Sequence, residues 1–202
     1  MARKVTVSKE VILDAALKML IRDGYASVNI KSLAAEIGCS TQPIAWHFEN
    51  MDGLRISLAE YAKEYADKKS VPKSVKKADQ ETQLNAIEGF EYMGRSYVKM
   101  ALKEPNLFKF LYLGESPLGK PYELKSISGA TENAGMIEGI AELTGLSFEQ
   151  IARVMKNTII YSHGIATMVA TGVFKASEKE IMAMIKTASE AFLIKERMQT
   201  NG

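Results

Sequence analysis

Residues 29–48 read NIKSLAAEIGCSTQPIAWHF. Ile30, Leu33, Ala34 and Ile37 recur at i, i+3, i+4 and i+7, the apolar stripe of a helix with one buried face. Asn29 is placed to cap that helix, its side-chain oxygen accepting from a free first-turn amide. Gly38 is placed to end it, because glycine enters the left-handed conformation without a Cβ penalty. Ser40 offers a second N-cap, and Ile44 and Phe48, four apart, supply the apolar face of a second helix. Ala34 is small where two steeply crossed helices approach closely. The pattern is that of a helix-turn-helix, whose second helix enters the DNA major groove. A packed three-helix corner without a DNA role is the alternative reading.

Working outward, Ser8–Asp23 reads as a preceding helix capped by Ser8, with Ile12, Ala16, Met19 and Leu20 on one side and Gly24 closing it. Three such helices in about 50 residues bury little surface alone. Asn50 caps a longer helix from Met51 to Lys69 with Leu54, Leu58, Tyr61 and Tyr65 on one face. VPKSVKKADQ (71–80) is polar, basic and proline-containing, and reads as a connection. Beyond it the chain lacks strand-like alternation. Glu81–Glu104 is expected as one helix stopped by Pro105, Asn106–Leu113 as a short apolar helix, and a further helix ends near Gly145 after a loop. Ser147 with Gln150 and Ser177 with Glu180 form capping boxes that open two closing helices, Phe148–Thr171 and Glu178–Met198. Ile151, Met155, Ile159 and Ala166 on the first, and Ile181, Ile185, Ala188 and Phe192 on the second, spread over more than one face. Helices of that kind are covered on several sides, and a pair from each of two subunits makes a four-helix interface. The expectation is an all-α homodimer of about nine helices per chain, with residues 1–50 as one domain and 51–202 as a second, linked by the helix at 51–69.

Charge supports the same division. The net charge of +2 on 202 residues is too small to argue for nucleic acid. Its distribution says more: residues 1–77 hold 13 Lys/Arg against 9 Asp/Glu, and the rest holds 13 against 15. The basic excess lies with the helix-turn-helix, as phosphate contact requires. The single cysteine, Cys39, excludes an internal disulfide framework and fits a reducing, cytoplasmic compartment. MARKVTVSKE has no apolar signal region. IIYSHGIATMVATGVF (159–174) is shorter than a membrane span and carries Ser162 and His163, so it reads as a buried helix.

With these features in place, the stretch GYASVNIKSLAAEIGCSTQPIAWHF resembles the TetR family of bacterial transcription regulators. Gly24, Tyr25, Ala34, Gly38, Ser40, His47, Phe48 and Leu54 match the family pattern at ungapped spacing, and the likeness is specific over residues 8–60. In the remainder, KEPNLFKFLYL and Ser162-His163-Gly164 are similar to one of the family's C-terminal types. Three positions depart from the pattern: Gln42 for a glycine, Ala45 for a tyrosine and Met51 for a lysine. The last two commonly touch the DNA backbone, which leaves Gln42, His47, Trp46 and Lys31 to supply contacts.

A recognition helix turns its first residues toward base edges. With Ser40 as N-cap, Thr41, Gln42 and Pro43 form the first turn, where the missing proline amide costs nothing. Gln42 is suited to the N6/N7 edge of adenine, and Pro43 and Ala45 to thymine methyls. Trp46 and His47 brace the backbone, His47 donating to a phosphate, while Lys31, Ser40 and Thr41 are further backbone contacts. The alternative for Trp46 is a core ring under the fourth helix.

The resemblance implies that the C-terminal body binds a small apolar or amphipathic effector of unknown identity, and that this releases a palindromic double-stranded operator. Phe90, Met93, Tyr97, Met100, Phe108, Leu111, Tyr112, Met136, Met155 and His163 are the candidate liners. The adaptability of methionine suits such a cavity, and plain core packing is the alternative for each. Gly114–Lys120 matches a GxxxxGK phosphate loop, but that motif needs a preceding strand and a following Ser/Thr. A helical segment precedes it and Pro121 follows, so it reads as a turn. No catalytic, metal or cofactor motif appears. The reading is a dimeric, ligand-released DNA-binding repressor with no enzymatic role, no cofactor and no membrane partner. The alternative keeps the fold but has the body dock a protein.

Overall fold

The computed structural model describes residues 7–70, 82–118 and 133–200, and among these every regular element is helical. α1 spans Lys9–Asp23, α2 Ile30–Ile37, α3 Gln42–Phe48, α4 Met51–Ser70, α5 Thr82–Lys103, α6 Pro105–Tyr112, α7 Ala134–Thr144, α8 Phe148–Ala170 and α9 Glu178–Thr200. The 71–80 connection and Gly119–Pro121 of the phosphate-loop lookalike lie outside the described residues. The segment before that lookalike is α6, a helix where the motif demands a strand.

Local chemistry sets most helix ends. Ser8 Oγ accepts from the Val11 amide at 3.3 Å. Asn29 Oδ1 accepts from the Lys31 and Ser32 amides at 3.1 and 3.0 Å. Gly38 takes φ +75, ψ 35 and passes its own amide back to the end of α2. The Ser147–Gln150 box closes in both directions, as does Ser177 with Glu180. One start differs from expectation: α3 begins at Gln42 with Thr41, not Ser40, at its N-cap. The Thr41 carbonyl is the first to accept a helical bond, from the Ala45 amide at 3.1 Å, so the helix opens one residue later.

The chain divides into two compact units. The first takes residues 1–68 and 103–120, the second 69–102 and 121–202. In the first, α1 packs on α2, α3 and α6. Ile12, Ala16 and Leu20 of α1, Leu33, Ile44, Leu54 and Leu58, and Leu107, Phe108 and Phe110 of α6 are almost wholly buried. Each large apolar side chain so buried contributes ~1.5–3 kcal/mol. α6, placed with the C-terminal body in the sequence reading, thus shares a core with α1. Asn106 pins the pair by donating to the Ile21 carbonyl at 3.2 Å, at the open end of α1. Beside it Tyr25 stacks on Phe110 at 5.1 Å, and the Arg55 guanidinium lies over the Tyr25 ring.

In the second unit α8 packs along α9 and against α7. Val98, Ile165, Ile181 and Ile185 form one core cluster; Ile137, Leu146, Ile151 and Met155 form another. At the N-terminus of α8, Gln150 serves two ends. Its Oε1 accepts from the Ser147 amide, and its Nε2 donates to the Glu196 carbonyl of α9 at 3.1 Å. The 159–174 stretch lies largely on α8, and no described helix is long and apolar enough to cross a membrane.

Candidate nucleic-acid interface

α3 has seven residues, and its sequence divides them cleanly. Ile44 and Phe48 are buried, while Gln42, Ala45 and Trp46 are exposed, continuous with exposed Ser40 and Thr41. Pro43 is half-buried at the first turn, and Lys31 stands exposed at the start of α2. Trp46 is 77% exposed, so the alternative of a core ring beneath α4 does not hold. A largely exposed indole on a two-turn helix is costly surface unless a partner covers it.

His47 behaves differently from expectation. Its Nε2 lies 2.9 Å from the carbonyl oxygen of Val7, forty residues earlier, just ahead of α1. The expected phosphate donor is therefore engaged inside the protein. The imidazole sits between the rings of Trp46 and Phe48, at 4.9 and 6.3 Å between centroids.

The turn after α3 is tight. Glu49 has φ +60 and ψ −49, and the Asn50 amide donates to the Phe48 carbonyl at 2.6 Å. That is a γ-turn of the strained, positive-φ kind. Asn50 Oδ1 then accepts from the Gly53 amide at 2.9 Å, capping α4 as expected. A Cβ on Gly53 would come within 2.3 Å of the Phe48 carbonyl oxygen, so only glycine fits there. Sequence periodicity carries no trace of Val7, Glu49 or Gly53 as determinants of how α3 is held. A glycine in the first turn of a helix with good formers around it was the only available hint.

The effector candidates are divided between the two units. Phe90, Met136 and Met155 belong to a single cluster in the second unit, with Phe90 and Met136 only partly buried. The Tyr97 hydroxyl and His163 Nδ1 are hydrogen-bonded to each other. Burial pushes the His163 imidazole below its ordinary range, which favours the neutral ring. Met100 is buried, whereas Met93 is 39% exposed. Phe108, Leu111 and Tyr112 lie on α6, in the first unit. Also in the first unit is an open cleft of about 300 Å³ lined by Gly24, Tyr25, Ala26, Asn106, Lys109 and Glu115, none of them a candidate. Among the described residues no group of three or more His, Cys, Asp and Glu could hold a metal ion.

Residues 12–58, which span α1 to the middle of α4, match the family described as bacterial regulatory proteins, tetR family. Over this unit the chain is similar to the TetR family. Two solved structures carry the same fold over nearly the whole length. A TetR-like transcriptional regulator from Rhodococcus sp. RHA1 aligns with TM-score 0.60 and 15% identity, over 96% of this chain and 98% of that one. A TetR variant from Acinetobacter baumannii AYE, crystallised with minocycline, aligns with TM-score 0.52 and 17% identity, over 95% and 97%. No curated protein matches the chain. The all-α fold and a helix-turn-helix that matches the TetR family model thus stand together.

Proposed function

We propose that this TetR-family regulator is a homodimeric repressor that binds a palindromic operator and leaves it when a small apolar or amphipathic effector binds residues 51–202. The observation that carries the reading is the outward face of α3: Thr41, Gln42, Ala45 and Trp46 stand free on a helix anchored by Ile44 and Phe48. Gln42 reads an adenine edge, and Pro43 and Ala45 meet thymine methyls. Trp46 lies against the sugar-phosphate edge, and Lys31, Ser40 and Thr41 hold phosphates. An effector acts only through its differential affinity for the two states, typically ~1–3 kcal/mol of coupling. Phe90, Met93, Tyr97, Met100, Met136, Met155 and His163 are the proposed contacts in the second unit. Phe108, Leu111 and Tyr112 are proposed to respond through α6, whose Asn106 grips the end of α1. Support for a small-molecule effector comes from the minocycline held by the Acinetobacter TetR variant of like fold.

Selection of bound duplexes from a random pool tests the proposal. The expected product is a palindrome with half-site centres about one helical turn or slightly more apart. Enrichment of nothing, or of sites without twofold symmetry, would remove the regulator reading. On the selected site, Gln42→Ala should relax preference at one base position per half-site, at ~1–3 kcal/mol. Unchanged base preference would take Gln42 out of the readout.

A further inference from the structure

The geometry points to a task for His47 other than a DNA contact: it is a positioning residue that locks the recognition helix to the segment entering α1. The inference rests on the proposed function only for its consequence at DNA. A carbonyl oxygen can only accept, so the 2.9 Å approach of Nε2 to the Val7 oxygen makes Nε2 the nitrogen that carries hydrogen. In the neutral ring Nδ1 is then a bare lone pair, which a phosphate oxygen repels. His47 could donate to a phosphate as well only as an imidazolium.

The surroundings of the bond reinforce it. Val7 is 6% exposed, so the carbonyl is held on a buried residue. Ser8 caps α1, and the Lys9 ammonium, the charged group that faces this corner from α1, lies 5.5 Å from the centre of the Phe48 ring. Three consecutive residues, Val7 to Lys9, are therefore engaged, two of them with the last turn of α3. Beside the Ile44 and Phe48 contacts and the tight turn at Glu49, this bond acts on the rotation of the two-turn helix about its own axis. That rotation decides where the Gln42 side points. A bond from the opposite end of the helix, on a residue between the buried and exposed faces, fixes it.

Two isosteric amides separate the possibilities. Gln places its N–H where Nε2 stands, and Asn places its N–H where Nδ1 stands. Wild type, His47→Gln and His47→Asn are compared in two measurements. The first is hydrogen exchange of peptides covering residues 39–50 in the full-length protein without DNA. The second is affinity for a duplex recovered by random-pool selection, across a salt series. The clamp predicts that H47Q stays within about twofold of wild type in both. H47N should exchange several-fold faster in α3 and bind about three- to tenfold more weakly, the range for one lost hydrogen bond. The slope of affinity against salt should be the same in all three. Exchange in H47N equal to wild type would overturn the inference. So would a salt slope lowered by about one in H47Q, the mark of a lost phosphate contact. If wild type binds no duplex, the regulator reading fails while the exchange measurement still decides the clamp.

Discussion

Arg153 and Glu196 form the best-defined ion pair between α8 and α9, with Nη2 2.7 Å and Nε 3.1 Å from the carboxylate. The two ends are not equivalent: the Glu196 side chain is 7% exposed and that of Arg153 47%. Bonding to Arg153 holds the Glu196 carboxyl below the usual carboxylate range against the opposing effect of burial. Stability from this group is therefore present above the ordinary carboxylate pKa and is lost as the pH falls through its lowered value. Removing the arginine takes two guanidinium bonds from a buried carboxylate, whereas neutralising the glutamate leaves a guanidinium that water still reaches. Arg153→Met should cost ~1–3 kcal/mol and Glu196→Gln less, read from denaturant midpoints. Equal costs, or the reverse order, would mean that the carboxylate is better solvated than its burial implies. His163 acts in the same direction, at higher pH. Burial lowers its pKa from the ordinary 6.5, so the folded state binds fewer protons than the unfolded one as the pH drops below that value. Stability should thus decline as the pH falls through the window below 6.5, and His163→Asn should flatten that part of the curve.

At the scale of elements, the α3–α4 turn concentrates the strain in the described DNA-binding unit. Glu49 is the only described non-glycine residue with positive φ, and the Phe48 carbonyl next to it fills the space where a Gly53 Cβ would lie. The two positions should respond with opposite signs. Glu49→Gly should raise stability by ~1 kcal/mol by relieving the backbone, and Gly53→Ala should lower it by ~1–3 kcal/mol because a carbonyl has to move. A destabilising Glu49→Gly would show that the turn is not strained. Gly53→Ala should also weaken operator binding, since the displaced carbonyl ends the recognition helix. The same turn shows what sequence makes legible. Caps at Ser8, Asn29, Ser147 and Ser177 and the left-handed Gly38 depend on chemistry within four residues, and each stands where local pattern put it. The buried face of α3 follows from Ile44 and Phe48 alone. The His47–Val7 bond spans 40 positions and the Asn106–Ile21 bond 85, and no periodicity encodes either. For the same reason α6 read as part of the body although its apolar face belongs against α1. The start of α3 slipped by one residue because Ser40 and Thr41 are chemically alike as caps, and only the backbone distinguishes them.

For the whole molecule, the decisive surface lies on the two closing helices. α8 and α9 cover each other with Ile151, Met155, Ile165, Ile181 and Ile185, yet leave a second apolar face in the open. On α8, Ile160 is 45% and Met168 44% exposed, with Gly164 between them. On α9, Met184, Thr187, Ala191, Ile194 and Met198 are all exposed, at the alternating three- and four-residue steps of a helix–helix seam. A single chain gains nothing by presenting such a stripe to water, and in the proposed homodimer a second copy related by a twofold axis would cover it with the same stripe. Ile160→Glu combined with Ile194→Glu would bring four carboxylates into that seam. The expected outcome is a fall in light-scattering mass from two chains to one, with the far-ultraviolet helical signal retained. Operator affinity should then drop at least about a hundredfold, because two half-sites can no longer be engaged together. Non-specific binding should persist, since the α3 face of each chain is untouched. A wild type that runs as one chain, or a double variant that remains paired, would place the twofold contact elsewhere and leave this stripe without a role.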